Sequence, residues 1–328
     1  MDAKSLSPAQ TALNQLSAYI NTKIIGQEVL VERMLIALLA DGHLLVEGAP
    51  GLAKTRAINV LSQSIEADFH RVQFTPDLLP ADLTGTEIYR PQSGSFDFQK
   101  GPLFHNLILA DEINRAPAKV QAALLEAMAE RQITVGKATY PLPPLFMVMA
   151  TQNPIEQEGT YPLPEAQLDR FLLHVKIDYP NAVHEQSILH LARAEARGVT
   201  QQANAFQQKI SQHNVFAARN EVLDIYMAAS LEQYLLQIVL ATRNPGAYGT
   251  DLANWIEYGA SPRASIALDR CARAKAWLNQ RDFVDPGDIQ DMAYDVLRHR
   301  IILSYEAEAE GVSSDEVIKQ LIARIAVP

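Results

Sequence analysis

Eight consecutive residues combine glycines with a lysine and a hydroxyl group. They are Gly48, Ala49, Pro50, Gly51, Leu52, Ala53, Lys54 and Thr55. They follow the apolar run His43–Val46, which predicts a strand that leads into a tight loop and then a helix. Backbone N–H groups at such a helix N-terminus point at an anion, and the helix dipole favours negative charge there. We therefore expect this loop to bind nucleotide phosphates, with Lys54 on the β- and γ-phosphates and the Thr55 hydroxyl on Mg²⁺.

The loop departs at one position from the usual phosphate-binding pattern. Ala53 stands where that pattern has its second glycine, although Gly51 lies two residues earlier. A methyl group is acceptable at position 53 if that residue keeps a negative φ angle. The alternative is an ordinary strand, turn and helix in which the Lys-Thr pair is a coincidence.

Two adjacent carboxylates follow a second apolar run, Leu107–Ala110. Phosphoryl transfer requires a metal ion on the phosphates, and Asp111 is the candidate that holds this ion directly or through water. Glu112 is the candidate base that orients and deprotonates the attacking water. The alternative is an acid pair that only caps a helix. The alternation of strands and helices around the pair favours the catalytic role.

Two further polar residues adjoin predicted strands. Asn153 follows the run Phe146–Thr151 and is expected to bind the attacking water or the γ-phosphate, although an Asn-Pro turn is the alternative.

Arg170 directly precedes the run Phe171–Ile177. An arginine that stabilises transition-state charge can come from a neighbouring subunit, and Arg170 is the favoured candidate. Arg170 could instead form only an ion pair on the surface. Arg115 and Arg131 are the other candidates for the transition-state role.

Arg263 lies in the first turn of a predicted helix, where its charge opposes the helix dipole. This local cost indicates an anionic partner such as the γ-phosphate. A solvated arginine is the alternative.

The order of elements indicates how these residues are positioned. Near-continuous apolar runs alternate with helical patterns up to about residue 180, which predicts a parallel sheet covered by helices on both faces. Ligands bind such sheets at the carboxyl ends of the strands. Beyond Tyr179-Pro180-Asn181 the pattern is helical, over roughly 182–196, 203–213, 219–243, 263–280, 286–300 and 313–325. We therefore predict an α/β nucleotide-binding domain at 1–180 and an all-helical domain at 181–328.

Composition limits the function classes. The chain has 328 residues, a net charge of −10 and a pI near 5.3, which argues against a protein that coats nucleic acid. The apolar runs are too short for a membrane span and the first residues do not resemble a signal peptide, so we expect a cytoplasmic protein. The single cysteine, Cys271, is expected to be buried and inert. The 8 histidines lack metal-ligand spacing.

Together these residues resemble the AAA+ ATPases, and among them the MoxR family, over nearly the whole chain. Gly48–Thr55 is similar to the Walker A loop, for which alanine before the lysine is usual in this family. Asp111–Ala116, at the end of Walker B, is typical of MoxR proteins. By the same resemblance, Asn153 matches sensor 1, Arg170 the arginine finger and Arg263 sensor 2. The segment around Ile25 is similar to the one that packs on adenine.

Two predicted hairpins also fit this family. Ile88–Phe98 resembles the helix-2 insert and Ile133–Tyr140 the pre-sensor-1 hairpin, although either could be an ordinary surface hairpin. The resemblance implies a ring, usually a hexamer, with ATP between subunits. In it, Lys54 and Arg263 hold phosphates from one side, and Arg170 enters from the neighbour.

The family relationship also implies a chaperone-like motor whose hydrolysis changes the angle between sheet domain and lid. The client protein often carries a von Willebrand factor A domain. The sequence leaves three alternatives open: a chelatase-type motor subunit for metal insertion, a P-loop phosphotransferase, and a nucleotide-gated binding module that does not hydrolyse. The lack of a recognisable acceptor site argues against the phosphotransferase, and the intact Glu112 and Asn153 argue against the binding module.

Overall fold

The computed structural model describes residues 6–154, 159–197, 206 and 208–328. Its strands are β1 Leu44–Glu47, β2 Phe69–Gln73, β3 Gly85–Arg90, β4 Ser95–Lys100, β5 Leu107–Asp111, β6 Gln132–Val135, β7 Ala138–Pro141, β8 Met147–Gln152, β9 Leu173–Lys176, β10 Ile256–Tyr258 and β11 Ile302–Leu303. Its α-helices are α1 Pro8–Lys23, α2 Glu28–Leu39, α3 Lys54–Ser64, α4 Pro80–Thr84, α5 Ala118–Glu130, α6 Glu165–Leu168, α7 Ala182–Ala196, α8 Gln212–Leu223, α9 Ala229–Arg243, α10 Thr250–Trp255, α11 Pro262–Leu278, α12 Pro286–Leu297, α13 Tyr305–Ala309 and α14 Ser314–Arg324.

A five-stranded parallel sheet forms the centre of the molecule, in the order β2-β5-β8-β1-β9. All five residues of β5 are buried, as are the first three of β1, because helices cover both faces of the sheet. This explains why these segments read as continuous apolar runs. The predicted α/β fold is confirmed.

Alternate residues of β1, β5 and β8 enter different hydrophobic cores. Leu107 and Leu109 of β5 pack on the face covered by α1, α2 and α3, and this core continues into the C-terminal helices α8, α9, α11, α12 and α14. Ile108 and Ala110 point to the opposite face, where α5 covers them. The C-terminal helices therefore lie against the same face as the helix that follows the phosphate loop.

Both predicted hairpins are present. Strands β3 and β4 pair antiparallel over six positions, and β6 pairs with β7 over four. The rings of Phe98 and Tyr140 stack with their centroids 4.2 Å apart, so the two hairpins support each other. The tip of the β3–β4 hairpin exposes Tyr89 and Phe96 to solvent.

The C-terminal part is not entirely helical, in contrast to the prediction. Strands β10 and β11 form a short antiparallel pair, since Ile256 lies opposite Leu303. The predicted helix at 203–213 is wrong at residues 206 and 208–211, which precede α8, while 203–205 and 207 lie outside the described residues. The predicted helix at 219–243 is interrupted at residues 224–228, between α8 and α9. The other helical patterns correspond to helices.

Cys271 is buried in α11, and burial raises the pKa of its thiol to about 12. The predicted burial is confirmed, and a thiol that stays protonated is unreactive. Among the described residues, no helix is long and apolar enough to cross a bilayer.

Candidate functional site

The phosphate loop connects the end of β1 to the start of α3, as predicted. A side chain at Gly48 would lie 2.5 Å from Ile177 Cγ1, so only glycine allows the chain to leave the sheet here. Gly51 adopts φ +85° with open space around it, which leaves room for a ligand against the backbone. The Lys54 ammonium crosses the loop and donates to the Gly48 carbonyl at 2.7 Å. Burial lowers the pKa of Lys54, against the opposing charges of Asp111, Glu112 and Glu47.

Ala53 occupies the left-handed region, with φ +59° and ψ +16°. Alanine would fit this position without strain only if its φ angle were negative, and that condition is not met. A residue with a Cβ pays about 1–2 kcal/mol in this conformation. The loop holds the strain because α3 begins at the next residue and its apolar face, including Ala57, Ile58 and Leu61, is buried.

Asp111 ends β5 at the carboxyl edge of the sheet, next to the phosphate loop. Its buried carboxylate accepts a hydrogen bond at Oδ1 from the Thr151 hydroxyl at 2.6 Å. Arg71 of β2 donates to Oδ2 from Nη2 at 2.6 Å and from Nε at 3.1 Å. These partners fix the orientation of a carboxylate that is suitable as a metal ligand.

Glu112 follows Asp111 in the left-handed conformation, with φ +57°. Its Oε2 atom accepts hydrogen bonds from Gln73 Nε2 at 2.8 Å and from Arg115 Nη1 at 3.0 Å. Its backbone N–H donates to the Thr151 hydroxyl at 2.9 Å. Unusual backbone geometry that several contacts hold in place is common at active sites.

Asn153 directly follows β8, the strand between β5 and β1. Residues Val46 and Thr151 lie side by side in these strands, so Asn153 is next to the start of the phosphate loop. The side chain is buried at this edge. Sequence reasoning therefore placed Asn153, Lys54 and the two acids at one edge of the sheet, and the structure brings them together there.

The residues present fit a nucleotide-bound Mg²⁺ ion. Thr55 is the second residue of α3, half-buried at its N-terminus. Asp111 is a second oxygen donor. Among the described residues there is no cluster of three or more metal-ligating side chains. A magnesium ion held by only one or two protein oxygens takes its remaining ligands from phosphate and water, as is usual for Mg²⁺.

A cavity of about 270 Å³ adjoins the phosphate loop. Ile24 and Ile25 line one wall, Gly51 to Ala53 the second, and Ile188 and Leu191 of α7 the third. Its mostly apolar lining, which includes Ile25, suits a flat base.

Arg170 and Arg263 lie together at the opposite, amino edge of the sheet. Both line one cavity with Gly42 and His43, which precede β1. Arg170 Nη1 donates to the Leu125 carbonyl at 2.8 Å. Arg263 Nη1 is 3.3 Å from Asp169 Oδ2. The expectation that Arg263 holds phosphate from the same side as Lys54 is therefore wrong.

The physical reason is the position of α11. The cap residue of this helix, Ser261, donates from Oγ to Asp169 Oδ2 at 3.0 Å. Arg300 binds the other oxygen of the same carboxylate at 2.8 Å. These contacts attach the start of α11 to the residues just before β9. Strand β1 has four residues, so at 3.3 Å per residue the two edges of the sheet are about 13 Å apart.

The two competing arginines are at different edges. Arg115 binds Glu112 of its own chain. Arg131 ends α5 with φ +53°, pairs with Asp41 at 2.8 Å and lines the same cavity as Arg170.

Sequence reasoning missed three residues of the acidic site: Arg71, Gln73 and Thr151. Thr151 contacts both acids, and the other two approach from β2. For Gln73 and Thr151 the available signal was their position near strand ends, whereas Arg71 lies in the middle of β2. Gln73 ends β2 directly beside Asp111. Thr151 lies two residues before Asn153, so the side chains of Thr151 and Asn153 point to the same side.

Comparison with known proteins agrees with this geometry. Residues 43–173 match the family model described as ATPase family associated with various cellular activities (AAA). Residues 250–321 match the AAA lid domain.

Relatives extend the similarity to the whole chain. Chaperone MoxR1 of Mycobacterium tuberculosis is 43% identical over 327 residues, which cover 99% of this chain and 85% of that protein. Protein MoxR of Paracoccus denitrificans is 31% identical over 99% of this chain and 98% of its own length. The crystal structure of a protein from Cytophaga hutchinsonii that has been assigned as a candidate ATPase superposes with a TM-score of 0.88 at 47% identity, and the match covers 98% of this chain and 96% of that one.

Proposed function

Because this chain belongs to the MoxR family of AAA+ ATPases, we propose that it hydrolyses Mg-ATP between neighbouring subunits of a ring and thereby remodels a client protein. One observation carries the proposal. The loop, the acids and Asn153 lie at the carboxyl edge of the sheet, whereas Arg170 and Arg263 lie at the amino edge. Arginines about 13 Å away across β1 do not reach the same nucleotide.

Two half-sites on different surfaces of one chain define a head-to-tail interface. The carboxyl edge of one subunit meets the amino edge of the next, and such heterologous contacts close into a ring when the rotation between subunits allows it. Arg170 and Arg263 then face the nucleotide of the neighbour. In the proposed assembly, a hexamer, every subunit contributes one half of two sites.

At the carboxyl edge, each residue has a separate role in the proposed reaction. The backbone of the phosphate loop and Lys54 bind the β- and γ-phosphates. A bound Mg²⁺ ion, held by Thr55 and Asp111, would neutralise phosphate charge. Glu112 accepts the proton of the attacking water, which Asn153 orients. Arg170 from the neighbour stabilises the charge that develops on the γ-phosphate.

Contacts at two places support a coupling between nucleotide and lid. Arg56 of α3, two residues after Lys54, forms an ion pair with Glu195 of α7. Glu47, directly before the phosphate loop, accepts a hydrogen bond from His174 Nε2 at 2.8 Å. The His174 carbonyl in turn accepts from Arg298 at the end of α12. A movement of the loop on hydrolysis would therefore reach the helical part at both places.

The name of the mycobacterial relative, a chaperone, supports a protein client over a small-molecule acceptor. The exposed rings of Tyr89 and Phe96, 5.2 Å apart at the tip of the β3–β4 hairpin, offer a contact surface for a polypeptide. By family resemblance, we extend the proposal to a client with a von Willebrand factor A domain and to a cytoplasmic location. A chelatase-type motor would share the same ATPase site.

Mixing of two inactive variants tests the shared site. Lys54→Ala removes the phosphate contact, and Arg170→Ala removes the proposed arginine of the neighbour; each alone should lower ATP turnover at least 100-fold. In a mixed ring, some interfaces combine an intact Lys54 with an intact Arg170, so turnover should exceed the sum of the two variants. If the mixture gives only the sum, while light scattering shows that mixed rings form, the proposed action between subunits is contradicted.

A further inference from the structure

The cavity at the amino edge of the sheet carries more positive charge than Arg170 and Arg263 supply. It has a volume of about 350 Å³. Five arginines line it: Arg131, Arg170, Arg263, Arg270 and Arg300. The whole chain has a net charge of −10, so this concentration of arginines does not follow from a basic composition.

The two carboxylates that line the cavity are already shared. They form four ion pairs, with N–O distances of 2.8 Å for Arg131–Asp41, 2.6 Å for Arg219–Asp41, 2.8 Å for Arg300–Asp169 and 3.3 Å for Arg263–Asp169. Within the described part of the chain, Arg170 and Arg270 have no carboxylate partner. The cavity therefore keeps a net positive charge, which suits an anion that carries several negative charges.

Arg270 lies on the same face of α11 as Arg263. The two residues are seven positions apart, which is two helical turns or about 10 Å along the axis. Ile266 and Ala267, between them, also line the cavity. The Arg270 side chain is exposed, and it forms no ion pair or hydrogen bond with any residue that the structure describes. Its five N–H donors are therefore available to an incoming ligand.

We infer that Arg270 is a third arginine that each subunit supplies to the polyphosphate of its neighbour's ATP. This inference rests on the proposed ring function. A triphosphate has several charged oxygens spread along a chain, and the forked guanidinium group binds such oxygens in pairs. Arg170 and Arg263 contact the γ-phosphate end, and Arg270, two turns further along α11, contacts the remainder of the chain.

The first test is the turnover of Arg270→Ala at a concentration that saturates assembly. A hydrogen-bonded contact with a charged group corresponds to about a 10- to 100-fold fall in kcat/KM. Arg270→Lys should recover only part of the loss, because an ammonium does not form the paired contact. Arg197→Ala is the matched control, since it removes an exposed arginine outside the cavity and should leave turnover unchanged.

Two further measurements separate a direct contact from a structural effect. Arg270→Ala mixed with Lys54→Ala should exceed the sum of their activities, because the Lys54→Ala subunits still supply Arg270. Binding of a fluorescent ATP analogue to dilute, monomeric Arg270→Ala should match that of wild type, because Arg270 lies at the far edge from its own loop. Absence of rescue, or weaker binding by the monomer, would overturn the inference.

The outcome also distinguishes this inference from the proposed function. If Arg270→Ala retains wild-type turnover while Arg170→Ala is inactive and rescued by mixing, Arg270 has no role and the shared site stands. If neither variant is rescued in confirmed mixed rings, the shared site itself is contradicted.

Discussion

The two edges of the central sheet differ in chemistry. The carboxyl edge combines carboxylates, a lysine and backbone N–H groups. The amino edge has a cavity lined by arginines and a buried, neutral histidine, His43. The carboxyl edge has the groups that would bind a nucleotide but not the arginine proposed for the transition state. The amino edge has that arginine but, among the described residues, no loop that would bind a nucleotide. If the proposed shared site is right, this difference makes one chain insufficient for turnover.

The largest expected effect comes from the base at the carboxyl edge. Glu112→Gln removes the proton acceptor and leaves an isosteric group that still accepts from Gln73 and Arg115. We expect kcat to fall about 100- to 10,000-fold with little change in ATP affinity, measured by steady-state hydrolysis and equilibrium binding. Glu130→Gln, an exposed glutamate at the end of α5, is the control. Unchanged hydrolysis in Glu112→Gln would remove Glu112 from the mechanism.

The amino edge should become less stable as the pH falls, because of His43. Its Nδ1 accepts from the Val148 N–H at 3.0 Å, and burial lowers its pKa from 6.5 to about 4. The unfolded chain gains a proton near pH 6.5 and the folded chain only near pH 4. The stability from neutral His43 is therefore fully present above pH 6.5 and is lost progressively between these values, by about 2–3 kcal/mol.

Urea unfolding between pH 7.5 and 4.5 measures this loss. His43→Asn keeps an acceptor for Val148 but does not titrate, so its curve should lack the contribution of this group, although its stability at pH 7.5 should be lower. If wild type and His43→Asn have the same dependence on pH, His43 is not the buried neutral group that the structure shows.

The smallest effect concerns strain in the phosphate loop. Ala53→Gly removes the Cβ that opposes φ +59°, and it should raise the free energy of unfolding by about 0.5–1 kcal/mol despite the greater freedom of glycine. Ala122→Gly, at an exposed position within α5, should lower it by about 1 kcal/mol. Equal destabilisation by both changes, measured by urea unfolding, would show that Ala53 does not adopt the left-handed conformation.

The sequence predicted the phosphate loop, the two acids and Asn153 at the carboxyl edge, because each comes soon after an apolar run, but it did not identify Arg71, Gln73 or Thr151. The run before Asp111 is buried along its full length, and the hairpins have turns at glycine. Strands β10 and β11 have three and two residues, too few for a periodic pattern. The apolar spacing of α8 and α9 continues through the loop between them, so their break was not visible.

The amino edge was the least predictable region. Its arrangement depends on contacts between residues far apart in sequence, such as Asp169 with Ser261 and Arg300. A local pattern identified Arg263 as an arginine in need of an anion, but it could not indicate which edge of the sheet α11 would reach. The left-handed φ of Ala53 was equally hidden, because the same residues also allow a loop with negative φ.

The most direct test of the account is ATP hydrolysis as a function of protein concentration, with the molar mass measured by light scattering in the same samples, with and without Mg-ATP. If each nucleotide lies between the carboxyl edge of one subunit and the amino edge of the next, specific activity should rise with concentration in parallel with the fraction of assembled rings. A monomer whose specific activity is constant across the dilution series would contradict the shared site, and would point instead to a self-contained phosphotransferase.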